Sequence, residues 1–181
     1  GSILVYYGNG RGKTTAALGL GIRAAGVGKQ VIMVQFLKKK HSDTLDFLKK
    51  LEPELQIFRF EKAACGYSDL SPKEKQEQML NIKNALGYSR KVLDTGQCDL
   101  LILDEIFGLV DYNIITIEEL MDLIAVKKDS MDLILTGRNL PDEVREIADC
   151  VYSIQREKEK TPEILAQGNL SLIHISEPTR L

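Results

Sequence analysis

The chain has no tryptophan, only two histidines and three cysteines, and little net charge, formally −2 at pH 7. With His41 and His174 as the whole supply of imidazole, a histidine-based metal centre or a Ser-His-Asp triad is set aside. Cys65, Cys98 and Cys150 are odd in number, widely spaced and without a C-x-x-C pair, which excludes a disulfide framework and a zinc site and leaves reduced thiols as the expectation. The near-neutral balance and a pI of about 5.8 offer no bulk attraction for nucleic acid or an anionic membrane, so neither is expected as a partner. Any basic surface is local, with Lys38, Lys39 and Lys40 the obvious cluster. No apolar run approaches the roughly 20 residues of a membrane helix. The first residues also lack a secretory-signal pattern, so a cytoplasmic location is expected.

What is present fits one α/β unit. The 181 residues are 44% hydrophobic, enough for one sizeable core and too few for a second large one. Strand-like apolar runs recur at 3–7, 31–36, 55–60, 100–103, 133–136 and 151–154. Helical patterns lie between most of them, at 14–25, 43–51, 72–95, 118–126 and 141–148. The first ends at Gly26 and Gly28, and the second is stopped by Pro53. The third is announced by Ser71 as N-cap and Pro72 in the first turn, and it closes at Gly96. Continuous apolar strands alternating with helices imply a mainly parallel sheet covered on both faces, because parallel strands need crossover connections. Residues 3–160 are read as this domain. Gly1 and Ser2 resemble a tag scar, and residues 171–181 continue no earlier periodicity and are read as a non-native or disordered tail.

The densest chemical signal is Y-G-N-G-R-G-K-T-T at residues 7–15, placed between the first apolar run and the first helical segment. Gly8, Gly10 and Gly12 allow a tight turn that aims backbone N–H groups at one anion, and Asn9 and Arg11 lie between them. Lys13 can reach phosphate oxygens, the Thr14 hydroxyl can ligate a phosphate-bound Mg²⁺, and Thr15 continues into a helix whose N-terminus favours anions. The strict pattern wants glycine where Tyr7 stands. A second signal is L-L-I-L-D-E at 100–105, an apolar strand presenting Asp104 and Glu105 at the ligand edge of an open sheet. Asp104 is placed to hold Mg²⁺, and Glu105 to orient a substrate or water. Arg138, after Thr136 and Gly137, suits bidentate phosphate recognition, with a solvated turn arginine as the alternative. Arg23, about two and a half turns beyond Lys13, is balanced between ligand contact and structural pairing. Lys38 ends a strand at the same edge, and Tyr67 lies in a loop where it could cover a planar ligand or simply pack.

Together these residues resemble the ATP:corrinoid adenosyltransferases of the cobalamin-biosynthesis type. The family's G-N-G-K-G-K-T-T-A-A loop recurs from Gly8 to Ala17 with Arg11 at the first lysine, followed by Arg23 in the helix. Its V-Q-F recurs at Val34, Gln35 and Phe36; its L-D-E at Leu103, Asp104 and Glu105; its T-G-R at Thr136, Gly137 and Arg138; and its A-D-x-V from Ala148 to Val151. The resemblance implies a single-domain P-loop NTPase-like three-layer fold. It also implies a reaction in which a corrinoid reduced to Co(I) attacks the ribose 5′-carbon of ATP and expels triphosphate. That chemistry needs positioning and charge stabilisation of the leaving group rather than a side-chain base. Lys13, Glu105 and Arg138 would be catalytic. Residues 8–15, Arg23 and Tyr67 would bind the substrates, and Thr14 and Asp104 would hold Mg²⁺. ATP, the corrinoid, a flavoprotein reductant and a second copy of the chain are the partners expected.

Three departures accompany the resemblance. An aromatic-x-Trp pair found in some relatives is replaced by Gly66, Tyr67, Ser68 and Asp69, Lys39 stands where glycine is common, and the family's usual C-terminal segment is missing after about Glu159. Two other readings stay open on sequence: a small P-loop kinase using Asp104 or Glu105 as base, and a non-catalytic nucleotide-dependent switch.

Overall fold

Successive side chains of a strand point to opposite faces, so the continuous apolar runs give the central strands of this protein two buried faces. The computed structural model describes residues 1–39, 47–62 and 69–160. The chain order is β1 (Ile3–Tyr7), α1 (Lys13–Gly26), β2 (Val31–Lys39), a 3-10 turn (Lys49–Leu51), β3 (Leu55–Lys62), α2 (Pro72–Thr95), β4 (Leu100–Asp104), α3 (Ile106–Asp111), α4 (Ile117–Ala125), β5 (Asp132–Gly137), α5 (Asp142–Ile147) and β6 (Cys150–Ser153). The strands form one sheet in the order β3-β2-β4-β5-β1-β6, and every pairing is parallel.

One sheet face packs on α1. Val31, Met33, Leu55, Leu100, Ile102 and Ile134 meet Ala17 there, and Gly21 brings the helix close, since a Cβ on it would lie 3.1 Å from Ile102. The other face carries Val5, Ile32, Val34, Phe36, Leu101, Leu103, Leu133 and Leu135, which pack with Ile82, Ala85, Val92 and Leu93 of α2, Phe107 and Leu109 of α3, Leu120 and Leu123 of α4 and Val144 of α5. Full burial of each such side chain contributes roughly 1.5–3 kcal/mol, so this larger face anchors the fold.

Local signals explain the helix boundaries. Ser71 and Glu74 form a reciprocal capping box, with Glu74 N–H donating to Ser71 Oγ at 3.2 Å and Ser71 N–H to Glu74 Oε1 at 3.3 Å. Gly96 ends α2 in the left-handed region at φ 67°. Thr116 and Glu119 repeat the box at α4. The sequence did not reveal α3. Its six residues carry a glycine and no cap signature, yet Ile106, Phe107, Gly108 and Leu109 are all buried. Burial imposes that helix against weak local propensity. Of the expected helix at 43–51, residues 43–46 lie outside the described chain; Phe47 and Leu48 are helical, and the rest is the 3-10 turn. Among the described residues no helix is long and apolar enough to cross a membrane.

Candidate active site

At the carboxyl ends of the strands, the face toward α1 changes from apolar to polar along a single row. Met33 is followed two residues later by Gln35, Ile57 by Arg59, Ile102 by Asp104 and Ile134 by Thr136. The register sets Gln35 beside both Arg59 and Asp104, and pairs Leu103 with Leu135, which brings Asp104 alongside Thr136. A parallel sheet thereby lines up four polar side chains from four separate strands.

Asp104 is the centre of this row and is fully buried. Its carboxylate accepts from Thr136 Oγ1 at 2.7 Å, from Gln35 Nε2 at 3.2 Å and from Thr14 Oγ1 at 3.0 and 2.9 Å. Arg59 donates from Nε and a terminal nitrogen to Gln35 Oε1, both at 3.3 Å. Because guanidinium can only donate, Gln35 must turn its oxygen to Arg59 and its NH₂ to Asp104. Such contacts offset the cost of removing a carboxylate from water. Thr136 Oγ1 also accepts from Glu105 N–H at 2.8 Å. Glu105 sits at φ 63°, a conformation uncommon for a non-glycine residue, and this turns the chain from β4 into α3.

The loop between β1 and α1 lies across β5 and β6. Gly8 N–H donates to the carbonyls of Gly137 (3.2 Å) and Arg138 (3.1 Å), and Gly10 N–H donates to that of Ile154 at 2.8 Å. A Cβ on Gly8 would lie 2.2 Å from the Ile154 carbonyl oxygen, and one on Gly10 would lie 2.8 Å from it. These two glycines therefore admit the chain that follows β6, and their amides are committed to backbone carbonyls. Gly12 differs: a Cβ would meet open space, and its φ of 107° is what demands glycine. Past it, Ala16 N–H bonds to Gly12 O at 2.8 Å and starts α1, whose first-turn amides have no preceding helical turn to accept them. Lys13 is buried, with Nζ donating to Gly10 O at 2.8 Å. Thr15 is exposed.

Tyr7, standing where the strict motif has glycine, needs no special backbone. It lies within β1, has no positive φ, and gives its carbonyl to Ile154 N–H at 2.7 Å. Its ring packs toward the larger core beneath Arg145, whose guanidinium carbon is 5.3 Å from the ring centroid. Hydrogen bonding from Arg145, and then Ser153, lowers the Tyr7 pKa against the opposing effect of burial.

Thus Thr14 and Asp104 meet directly, Lys13 precedes Thr14 and bonds back to the loop at Gly10, and Glu105 and Arg138 lie on the adjoining strand ends. Arg138 is exposed, and its carbonyl holds Gly8. Gly137 serves packing, since a Cβ there would lie 2.4 Å from Phe107 Cβ. Arg11 meets Glu159 at 3.2 Å, and Asn9 Oδ1 accepts from Arg156 N–H at 3.1 Å. The structure does not bring Arg23 to the loop: it is exposed on the last turn of α1, about 15 Å along the axis from Lys13. Tyr67 lies outside the described residues, as does Cys65. Sequence reasoning missed Gln35, Arg59 and Thr136 as members of the site, although the apolar-to-polar step at the same strand depth was there to be read. Arg156 and Glu159 carried no signal, since only the path of the chain after β6 brings them to the loop.

Comparison with known proteins bears directly on this arrangement. The model of the family described as ATP:corrinoid adenosyltransferase BtuR/CobO/CobP matches residues 1–168. The chain is 30% identical to the corrinoid adenosyltransferase of Escherichia coli K12 over 155 residues, 86% of this chain and 76% of that one. It has the same identity and coverage with corrinoid adenosyltransferase CobA of Salmonella typhimurium. With the Pseudomonas aeruginosa enzyme of that name it is 25% identical over 152 residues, 83% of this chain and 73% of the other. Among solved structures, a KaiC-like protein from Pyrococcus horikoshii aligns with a TM-score of 0.57 at 20% identity, covering 88% of this chain and 74% of its own, which is a likeness of fold. The fold is accordingly P-loop NTPase-like, and the chain belongs to the ATP:corrinoid adenosyltransferase family of transferases.

Proposed function

We propose that this protein transfers the 5′-deoxyadenosyl group of ATP to the Co(I) centre of a reduced corrinoid and releases inorganic triphosphate. Cobalt supplies the electron pair for a new Co–C5′ bond, the C5′–O5′ bond breaks, and its pair departs with the triphosphate, leaving Co(III). A side-chain base is not required. Positioning of the 5′-carbon and stabilisation of the leaving group are. The observation that carries this reading is the contact of Thr14 with the buried Asp104, one residue from Lys13 on the glycine loop, in a chain of this family.

Each polar group then has a role. The amides at Gly12 and the start of α1, together with Lys13, Arg11 and Arg138, surround the triphosphate. Asn9 fixes the loop through Arg156, and Glu105 orients the ribose end. The hydroxyl of Thr14 and the carboxylate of Asp104 are hard oxygen donors of the kind Mg²⁺ prefers, so the site fits that ion. Bound there, Mg²⁺ would neutralise charge on the departing phosphates. Gln35, Thr136 and Arg59 hold Asp104 in one orientation for that purpose. Supply of Co(I) requires a strong reductant, for which a flavoprotein is the proposed donor.

Incubation with ATP, Mg²⁺ and chemically reduced cobalamin tests the reading. A light-sensitive adenosylated corrinoid with stoichiometric triphosphate is expected. Production of ADP would overturn it in favour of phosphoryl transfer.

A further inference from the structure

Residues 154–159, which follow β6, run alongside the glycine loop and touch it at several points. The Ile154 carbonyl accepts from Gly10 N–H at 2.8 Å, Arg156 N–H donates to Asn9 Oδ1 at 3.1 Å, and Glu159 Oε1 meets an Arg11 terminal nitrogen at 3.2 Å. Glu159 is itself braced, with Oε2 3.4 Å from Arg156 Nε. Arg11 is partly buried, its side chain 15% exposed. Its Nε is the buried side-chain nitrogen or oxygen left without a hydrogen-bond partner among the described residues. A buried guanidinium N–H without an acceptor costs free energy, so the position favours a ligand that brings one.

The geometry points to Glu159 as a positioning residue that holds Arg11 by a terminal guanidinium nitrogen and so fixes the direction of its Nε–H, the donor left for a phosphate oxygen of the nucleotide. This inference rests on the proposed reading of the loop as a triphosphate holder. A guanidinium offers five donors in a fixed fork, so gripping a terminal nitrogen with one carboxylate fixes where the remaining donors point. Arg156 keeps the carboxylate from swinging away. The strap thus does for Arg11 what Gln35 and Thr136 do for Asp104, although it lies outside the loop motif and contacts no ligand itself.

The test uses equilibrium binding of a fluorescent ATP analogue, with inorganic tripolyphosphate as competitor, to the full chain and its Glu159→Gln, Glu159→Asp, Arg11→Met and Glu159→Gln/Arg11→Met variants. Glu159→Gln is expected to weaken both ligands by about three- to tenfold. Glu159→Asp should recover part of the loss. The double variant should bind no worse than Arg11→Met alone, because Glu159 acts through Arg11. Additive losses, unchanged affinity in Glu159→Gln, or tighter binding in it, as expected if Glu159 merely competed with phosphate, would each overturn the inference. Arg156→Gln, which removes only the brace, gives a second reading if Glu159→Gln folds poorly: a weaker loss on the same ligands supports the proposal, and no loss refutes it. Lys13→Ala separates this from the larger question. If Lys13→Ala still binds the analogue, the triphosphate-holder reading fails; if it loses binding while Glu159→Gln does not, only the role of Glu159 fails.

Discussion

β4 and β6 grip the same loop from opposite sides by opposite means. β4 is buried at every residue and ends in Asp104, which is held by hydroxyl and amide donors. β6 lies at the sheet edge beside β1 among the described residues and is mostly exposed, and the chain beyond it holds the loop through backbone hydrogen bonds and the partly exposed Arg11, Arg156 and Glu159 cluster. The difference teaches where precision comes from. In a dry site neutral donors fix a carboxylate with little competition from water, whereas at a wet edge backbone bonds set the distance and ion pairs only trim the angle.

The comparison can be broken at its shared point first. Lys13→Ala should reduce adenosyl transfer from ATP by roughly 10²–10³-fold, the scale seen when one charge-stabilising donor is removed, measured as triphosphate release at fixed Mg²⁺. On the β4 side, Gln35→Leu leaves Asp104 with one donor fewer and takes the Gln35 oxygen from Arg59. The Mg²⁺-dependent part of nucleotide affinity should fall about 10- to 100-fold, as for other residues that orient a metal ligand, read by titrating Mg²⁺ into the protein with the fluorescent analogue. A loss that is equal with and without Mg²⁺ would show that Gln35 does not act through the metal site.

On the β6 side, Gly10→Ala forces a Cβ to within 2.8 Å of the Ile154 carbonyl. A stability loss of about 1–3 kcal/mol is expected in thermal or urea unfolding, as for other overpacked positions. The ion pairs should be the component that responds to salt. Between 0.05 and 0.5 M NaCl, wild-type affinity for the analogue should fall by about twofold more than that of Glu159→Gln, since screening removes what the variant already lacks. Equal falls would mean that the pairs contribute nothing.

The smallest expected effect compares the thiols at the two strands. Burial pushes the Cys98 thiol, two residues before β4, up to about 11, while Cys150 at the start of β6 is exposed. At pH 8 iodoacetamide should therefore modify Cys150 and spare Cys98, checked by peptide mass mapping. Because the folded pKa lies above the ordinary thiol value, this neutral cysteine supports the fold below pH 9, and that support is lost between about pH 9 and 11.

Much of the architecture was legible before any coordinates. The alternation of apolar runs with capped helical patterns gave the parallel α/β class, because continuous apolar strands have no other way to bury both faces. The boundaries at Ser71 and Gly96 followed from backbone chemistry local to those residues. Less legible was α3, where a short glycine-containing segment is helical only because Phe107 and Leu109 find the core beneath β5.

The sequence by itself determined the loop and its partner: Gly12 for a left-handed turn, Lys13 and Thr14 at the head of a helix, and Asp104 at the end of a buried strand. Those are properties of short stretches of chain. Only the tertiary structure decided what stands around them. The strand order brings Gln35, Thr136 and Arg59 into one row, gives Gly8 and Gly10 the task of admitting Ile154, and sets Glu159 against Arg11. Such contacts join residues far apart in the chain, and no local rule of spacing or propensity specifies which strand lies beside which.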